Sequence, residues 1–372
     1  MDWTLDEQTR RYYYYDDDTN ETVYDDGRRF EGARSDMEPG RAILLDAPYD
    51  IHEHPTGLFP ERADEFSTSF PSEPLDEARY KFVRDLGEGT QATVGEYKDG
   101  KEVLAIKTYQ FQSSTNELYH NIQREIEIMG RLSRQEEAHD YMVSLIRWHK
   151  DPEKHEIKLV MSPVASQGSL CDLLLRQFDE TTEVIGEQFL LNAIGNLAQG
   201  LAFIHLSSMR HKDINTQNVL IHEGRAIYAD FGISLIFNCL ISPTGASFNP
   251  TESTLYENAY AAPEIVDGAP RSTKSDVFSL GCVFWELLAA RSVAVLGRDD
   301  YKMETGFHWG ENQADGYARR VRDRSLRMAF ESMKEEDGMQ KYGRIVDVIE
   351  MMVSEDPDER PEADDVFDLI FG

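Results

Sequence analysis

Cysteine is scarce: Cys171, Cys239 and Cys282 are the only three in 372 residues. Their number and wide spacing exclude a disulfide framework and a cysteine-based zinc site, and they fit a reducing compartment such as the cytoplasm or nucleus. Positive charge is also short, with 38 Lys plus Arg against 69 Asp plus Glu, a formal charge of -31 and a pI near 4.6. So acidic a chain repels phosphate backbones and anionic lipid, so neither nucleic acid nor a membrane surface is expected as a partner. The opening MDWTLDEQTR carries Asp2, Asp6 and Glu7 where a secretory leader is basic and then apolar, so no export signal is expected there. Long apolar runs are missing as well. The strongest, Val277 to Ala290, is broken by Ser279 and Glu286 and reads as a buried core helix too short to cross a bilayer. Apolar residues still make up 40% of the chain, enough for a large core divided between two lobes. Nothing in the sequence specifies an oligomer, and a monomer is the default expectation.

Residues 1–78 differ in texture from the rest. They hold 21 acidic residues, 7 arginines and no lysine, a net charge of -14, and Tyr12 to Tyr15 run directly into Asp16 to Asp18. Self-repulsion and few aliphatic residues oppose a packed core, so this segment is expected to be a disordered acidic arm. The tyrosines read as a solvated tract, with an acidic docking or modification motif as the alternative. His52 and His54 flank Glu53, too few ligands for a metal site.

From Tyr80 onward, KFVRDLG, TVGEYK, EVLAIKTY, MVSLIRW and EIKLVMS read as strands. Leu118, Ile122, Ile126 and Met129 recur at helical spacing and predict a helix over Glu117 to Leu132. After Ser169 the pattern turns mostly helical, with helices predicted over Phe189 to His205, Ser275 to Ala290 and Ile345 to Val353. A strand-rich block before a longer helix-rich block predicts two unequal lobes with a cleft between them.

Chemistry-bearing residues fall in a fixed order. Leu86-Gly87-Glu88-Gly89-Thr90-Gln91-Ala92-Thr93-Val94 places small residues around a turn between strands, where backbone amides can close on phosphate oxygens. One strand later comes Ala105-Ile106-Lys107. Strand alternation aims Lys107 into the cleft, and Glu125 on the predicted helix is placed to pair with it. His211-Lys212-Asp213-Ile214-Asn215-Thr216-Gln217-Asn218 sets a carboxylate and a carboxamide five residues apart, suited to taking a hydroxyl proton and holding a divalent metal. Asp230-Phe231-Gly232, Ala262-Pro263-Glu264, the Ser275 to Gly281 segment and Arg360 follow. Each string alone is commonplace; their order and spacing together are not.

This ordered set resembles the eukaryotic-type protein kinases from about Tyr80 to Gly372. The resemblance implies an α+β, bilobal fold: a small β-rich N-lobe (79–161), a hinge (162–165) and a larger, mainly helical C-lobe (166–372). It implies ATP and Mg2+ as cofactors and a protein substrate, most readily at Ser or Thr. Leu86, Gly87, Gly89, Ala92, Val94, Ala105, Lys107, Met161, Val164 and Leu220 would line the nucleotide site, with Met161 before the hinge and Val94, Ala105 and Leu220 sandwiching adenine. Lys107, oriented by Glu125, would hold phosphates; Asp213 would be the base; Asn218 and Asp230 would hold magnesium. Leu145, Met129, Phe231 and His211 would stack through both lobes, anchored by Asp276. Glu264 and Arg360 would form a buried ion pair whose disruption costs roughly 3 to 5 kcal/mol.

The chain departs from that family in the catalytic loop. Asn215 stands where serine/threonine kinases usually carry a lysine and Gln217 where tyrosine kinases place an arginine, so the loop lacks a cation of either class. Losing one such transition-state donor costs on the order of 2.7 to 4 kcal/mol. The alternative reading is therefore a weak pseudokinase serving as an ATP-binding scaffold, and Asn215→Lys is expected to raise transfer. Lys212 replaces an arginine, a point charge in place of a bidentate fork. Ser242, Thr244, Ser247, Thr251, Ser253, Thr254 and Tyr256 are phosphosite candidates, and Glu257 occupies the place of a family threonine. A small-molecule phosphotransferase is disfavoured by the Ala262-Pro263-Glu264 and Ser275 to Gly281 segments. Between Arg291 and Tyr342, where the match loosens, Trp309, Tyr317 and the arginines 319, 320, 322 and 324 interrupt the helical pattern. The arginines read as a solvated face, or alternatively as a dock for the acidic arm.

Overall fold

The computed structural model describes residues 79–88, 92–111, 117–177, 185–232, 234–236, 259–269, 271–296 and 316–372, with the backbone of four short strands between residues 4 and 31. Those strands, β1 (Thr4–Asp6), β2 (Arg11–Asp16), β3 (Glu21–Tyr24) and β4 (Arg29–Glu31), form an antiparallel sheet in that order, in a unit separate from the remainder. Here the structure differs from the compositional reading, which expected no regular elements. Net charge averages over the segment, whereas the local run Tyr12 to Tyr15 is strongly strand-forming, and the register sets Tyr13 opposite Tyr24 and Tyr14 opposite Val23. His52, Glu53 and His54 lie outside the described residues.

In the larger unit, β5 (Lys81–Glu88), β6 (Ala92–Asp99) and β7 (Glu102–Gln110) are followed by α1 (Glu117–Leu132), α2 (Ala138–Tyr141), β8 (Ser144–Asp151) and β9 (Glu156–Ser162). The five strands pair antiparallel in the order β5-β6-β7-β9-β8. Alternation sorts the two faces. Leu104, Ile106 and Val160 join Tyr80 in a small outer cluster, while Ala105, Tyr109, Leu159 and Met161 face the main core with Ile122, Ile126 and Met129 of α1. The predicted helix Glu117 to Leu132 and all five predicted strands are present.

The helical lobe opens with α3 (Leu170–Gln177) and α4 (Glu187–Leu206). The two-residue strand β10 (Met209–Arg210) precedes the hairpin of β11 (Val219–His222) and β12 (Arg225–Tyr228), and β13 (Leu235–Ile236) pairs back to β10. Next come α5 (Pro263–Val266) and α6 (Thr273–Leu296), then α7 (Tyr317–Arg322), α8 (Ser325–Glu335), α9 (Gly343–Met352) and α10 (Ala363–Phe371).

Helix α6 corrects the sequence estimate of its length. By length and composition both it and α4 would suffice to cross a membrane, but residues 275–290 of α6 are buried on every side, as suits a core helix. Its interrupting acid, Glu286, is buried and accepts hydrogen bonds on Oε1 from the hydroxyls of Tyr260 and Tyr317, each at 2.9 Å. Gly281 lets α9 approach: a Cβ there would lie 2.8 Å from Val353 Cγ1 and 2.9 Å from Met352 Cβ. Of the arginines 319, 320, 322 and 324, all but the half-buried Arg320 are exposed, as a solvated face requires. Arg322 reaches across to Asp267 at 2.5 Å and Glu355 at 3.3 Å, while Tyr317 is fully buried. Trp309 lies outside the described residues.

Candidate functional site

Lys107 sits on the inner face of β7 and Glu125 on α1, and the two meet as the sequence predicts. Lys107 Nζ lies 2.9 Å from Glu125 Oε1 and 3.0 Å from Asp230 Oδ1. Lys107 is 8% exposed and Glu125 1%, so the pair is desolvated. Burial works against the ammonium, but Asp230 and Glu125 more than offset it and hold Lys107 well above the ordinary lysine value. Lys107 in turn draws the Asp230 carboxyl below its ordinary value. Burial raises Glu125, against Lys107.

The loop after β10 is fixed from below. Asp276 at the start of α6 accepts from the backbone N–H groups of His211 and Lys212, each at 2.9 Å, and from His205 Nε2 at 3.1 Å. Thr216 Oγ1 meets the Tyr260 hydroxyl at 3.0 Å, joining the loop to the Glu286 cluster. His211 donates from Nε2 to the Ala229 carbonyl (3.2 Å), while its Nδ1 accepts from Asp213 N–H (3.4 Å). That makes it a neutral imidazole, consistent with the lowering of its pKa by burial. Its ring packs at a tilt of 47° against Phe231 with centroids 4.8 Å apart; Met129, Leu145 and Phe231 share one core, and His211 is fully buried beside Phe231. Lys212 (φ 69°) and Asp230 (φ 61°) hold left-handed backbone that side chains other than glycine rarely adopt, a strain these anchors sustain.

Both oxygens of Asp213 are engaged. Asn218 Nδ2 donates to Oδ2 at 2.6 Å and Asn215 Nδ2 to Oδ1 at 3.0 Å. Burial and the charge of Asp230 push the Asp213 carboxyl above its ordinary value; Arg271 and the two amides oppose the shift. Arg271, just before α6, is the cation that sequence reasoning missed. Its carbonyl accepts from Arg210 Nη1, and its guanidinium forms no ion pair among the described residues. Burial, Arg271, Arg210 and Arg124 together lower Lys212 to about 8. Asn215, 4% exposed, is a brace in this loop: its Oδ1 accepts from the backbone N–H groups of Gln217 (2.9 Å) and Asn218 (3.1 Å).

Above the loop, Val94 pairs in register with Lys107 and Ala105 with Met161, while Leu86, Ala92, Val94 and Leu220 lie half-buried against the core. Gly87 pairs with Val94. Gly89 lies outside the described residues, as do Glu257 and the hydroxyl residues 242–256. The linker after β9 is stitched to the β11–β12 hairpin. His222 Nδ1 donates to the Val164 carbonyl at 2.7 Å, Glu223 N–H to Ser166 Oγ at 3.1 Å and Gly224 N–H to Gln167 Oε1 at 3.0 Å. A cavity of about 420 Å³ opens there, bounded by Arg84, Glu96 and Val103 of the sheet, residues 162–166 and His222. Glu96 and Val103 lie two residues along from Val94 and Ala105 on the same strand face, which sets the cavity at the hinge end of the cleft.

The donor set suits magnesium. Asn218 spends its amide N–H groups on Asp213, leaving Oδ1 with no partner among the described residues, and Asp230 leaves Oδ2 likewise. Two hard oxygens suit a small divalent cation that keeps much of its hydration shell.

An ammonium held by two carboxylates, together with a recessed acid braced by two amides, makes up the residue set of a kinase-like domain. The chain belongs to the protein kinase domain family, which matches residues 80–371. It is 26% identical over 310 residues to a leaf rust 10 disease-resistance locus receptor-like protein kinase-like 1.4 of Arabidopsis thaliana, covering 82% of this chain and 43% of that protein. It is 29% identical over 227 residues to cyclin-dependent kinase 4 of Xenopus laevis (56% and 63%). It is 30% identical over 207 residues to the MAP kinase kinase MKK1/SSP32 of Saccharomyces cerevisiae (54% and 37%). The chain thus spans less than two thirds of each relative's length.

Proposed function

We propose that the chain is an ATP-dependent protein kinase that transfers the γ-phosphoryl group of Mg-ATP to a Ser or Thr hydroxyl of a protein. The observation that carries this reading is that the Lys107–Glu125 pair of the small lobe meets Asp230, whose neighbour Ala229 is hydrogen-bonded to Asn218 beside Asp213. Lys107, kept charged and aimed by Glu125, binds phosphate oxygens. Asp213 accepts the proton of the attacking hydroxyl on a carboxylate oxygen, and Asn218 holds that carboxylate in place. Magnesium, when bound, offsets phosphate charge, and Asn218 Oδ1 and Asp230 would hold it. With Asn215 in place of the family lysine, Arg271 is the cation whose charge is felt at Asp213.

A second reading, an ATP-binding scaffold with little turnover, is favoured by Asn215, which puts an amide where the family resemblance calls for a cation. One comparison separates the two: the purified chain and its Asp213→Ala form, incubated with magnesium and labelled ATP over a peptide array. Labelling of Ser or Thr peptides that disappears in Asp213→Ala supports the kinase; ATP binding with no labelling by either form supports the scaffold.

A further inference from the structure

Glu125 is held on both oxygens from a single strand. Lys107 takes Oε1, and Tyr109, two residues along on the same face of β7, donates its hydroxyl to Oε2. Tyr109 is 5% exposed, and its ring lies beside the ammonium, with Lys107 Nζ 5.1 Å from the ring centroid. Burial raises the phenol further above its ordinary value, so it remains a neutral donor. Helix α1 is also fixed near its N-terminus. Lys150 Nζ on β8 donates to the Tyr119 hydroxyl at 3.0 Å and lies 4.5 Å from the Tyr119 ring centroid and 5.6 Å from that of Phe111. Ile122 between these points, and Ile126 and Met129 beyond Glu125, pack into the core.

We infer that Tyr109 is a positioning residue: it latches α1 to the sheet so that Glu125 stays paired with Lys107 by contacts of the small lobe alone. A carboxylate held only by the ammonium can rotate about its last bond or leave with the helix, because the ammonium keeps Asp230 as a second partner 3.0 Å away. A hydroxyl on the second oxygen removes that freedom. Hydrogen bonds to charged groups are stronger than neutral ones, so loss of this one should favour departure of α1 substantially. The inference deepens the proposed function by naming a residue that prepares Lys107 for phosphate, yet its structural part holds for a scaffold as well as for an enzyme.

The test is Tyr109→Phe in the full chain, which keeps the ring and deletes the hydroxyl. Amide hydrogen exchange without nucleotide should accelerate about tenfold or more in residues 117–132 and remain unchanged in the β8–β9 pair. In a kinase assay KM for ATP should rise several-fold while KM for the peptide stays put. Unchanged exchange in 117–132 overturns the inference, as does acceleration spread evenly over the whole sheet, which would mark Tyr109 as ordinary core. If exchange responds as expected and neither form transfers phosphate, the latch stands and the kinase reading falls.

Discussion

Asn215→Ala is the substitution on which loop geometry and chemistry make a joint forecast. The side chain makes four hydrogen bonds: to Asp213 Oδ1 (3.0 Å) and the Asp213 carbonyl (3.3 Å), and from the N–H groups of Gln217 and Asn218. Asn218 N–H keeps a second acceptor, the Asn215 carbonyl at 3.2 Å, so its loss is partial. Counting about 1 kcal/mol for each of the two neutral bonds fully lost and about 1.5 to 3 for the one to the carboxylate gives a cost of roughly 3.5 to 5 kcal/mol. At about 2 °C per kcal/mol for a domain of this size, that is a fall in Tm of roughly 7 to 10 °C. The amide also opposes the upward shift of Asp213. Deleting it raises that carboxyl further, so the acidic limb of the kcat/KM profile moves to higher pH.

Differential scanning fluorimetry and a pH–rate series on the same preparations check both halves. A Tm within about 2 °C of the parent, with an acidic limb unmoved or moved down, would refute the reasoning. Asn215→Lys discriminates further. The sequence reading expects it to raise transfer by restoring a cation. The structure gives the position a task that lysine, which has no acceptor, cannot perform. The expected outcome is therefore a Tm loss like that of Asn215→Ala and turnover no higher than the parent's; a clear rise in turnover would show that charge outweighs the brace.

Arg360→Ala should cost about 3 to 5 kcal/mol in urea unfolding, because Arg360 is 1% exposed, doubly bonded to Glu264 at 2.7 and 2.8 Å, and also holds the Ser354 and Lys274 carbonyls. Gly281→Ala should destabilise by about 1 to 3 kcal/mol, since Val353 and Met352 of the adjoining segment must move apart. For Asp276, burial works against its charge, but His205, His211 and the Lys212 N–H hold it below its ordinary 3.8. Its contribution is thus present above that value and lost as pH falls through the lower folded one, so Asp276→Asn, less stable at neutral pH, should show a shallower acid transition than the parent by circular dichroism.

What the sequence discloses is what a single element carries by its own period. Alternation in β7 fixes the face of Lys107, the helical repeat in α1 fixes the face of Glu125, and the pairing follows once both elements pack on one core. Tyr109 was equally available to that logic, since it shares the face of Lys107, but an aromatic residue two positions from a lysine reads as core until a partner carboxylate is in view. His222 on the Val164 carbonyl, Arg322 on Asp267 and Arg271 near Asp213 join segments more than fifty residues apart. No spacing rule reaches them; they depend on where the elements come to rest. The same limit governs composition, as the strands within residues 4–31 illustrate: average charge bears on whether a core can form, while strand propensity acts residue by residue. Asn215 is the sharpest instance. Family logic treats its position as a slot whose occupant should carry charge, and only the three-dimensional loop discloses that an acceptor is required there to hold two backbone N–H groups. Where the same atom braces the loop and touches the base, stability and proton transfer cease to be separable by substitution, and only the pH axis tells them apart.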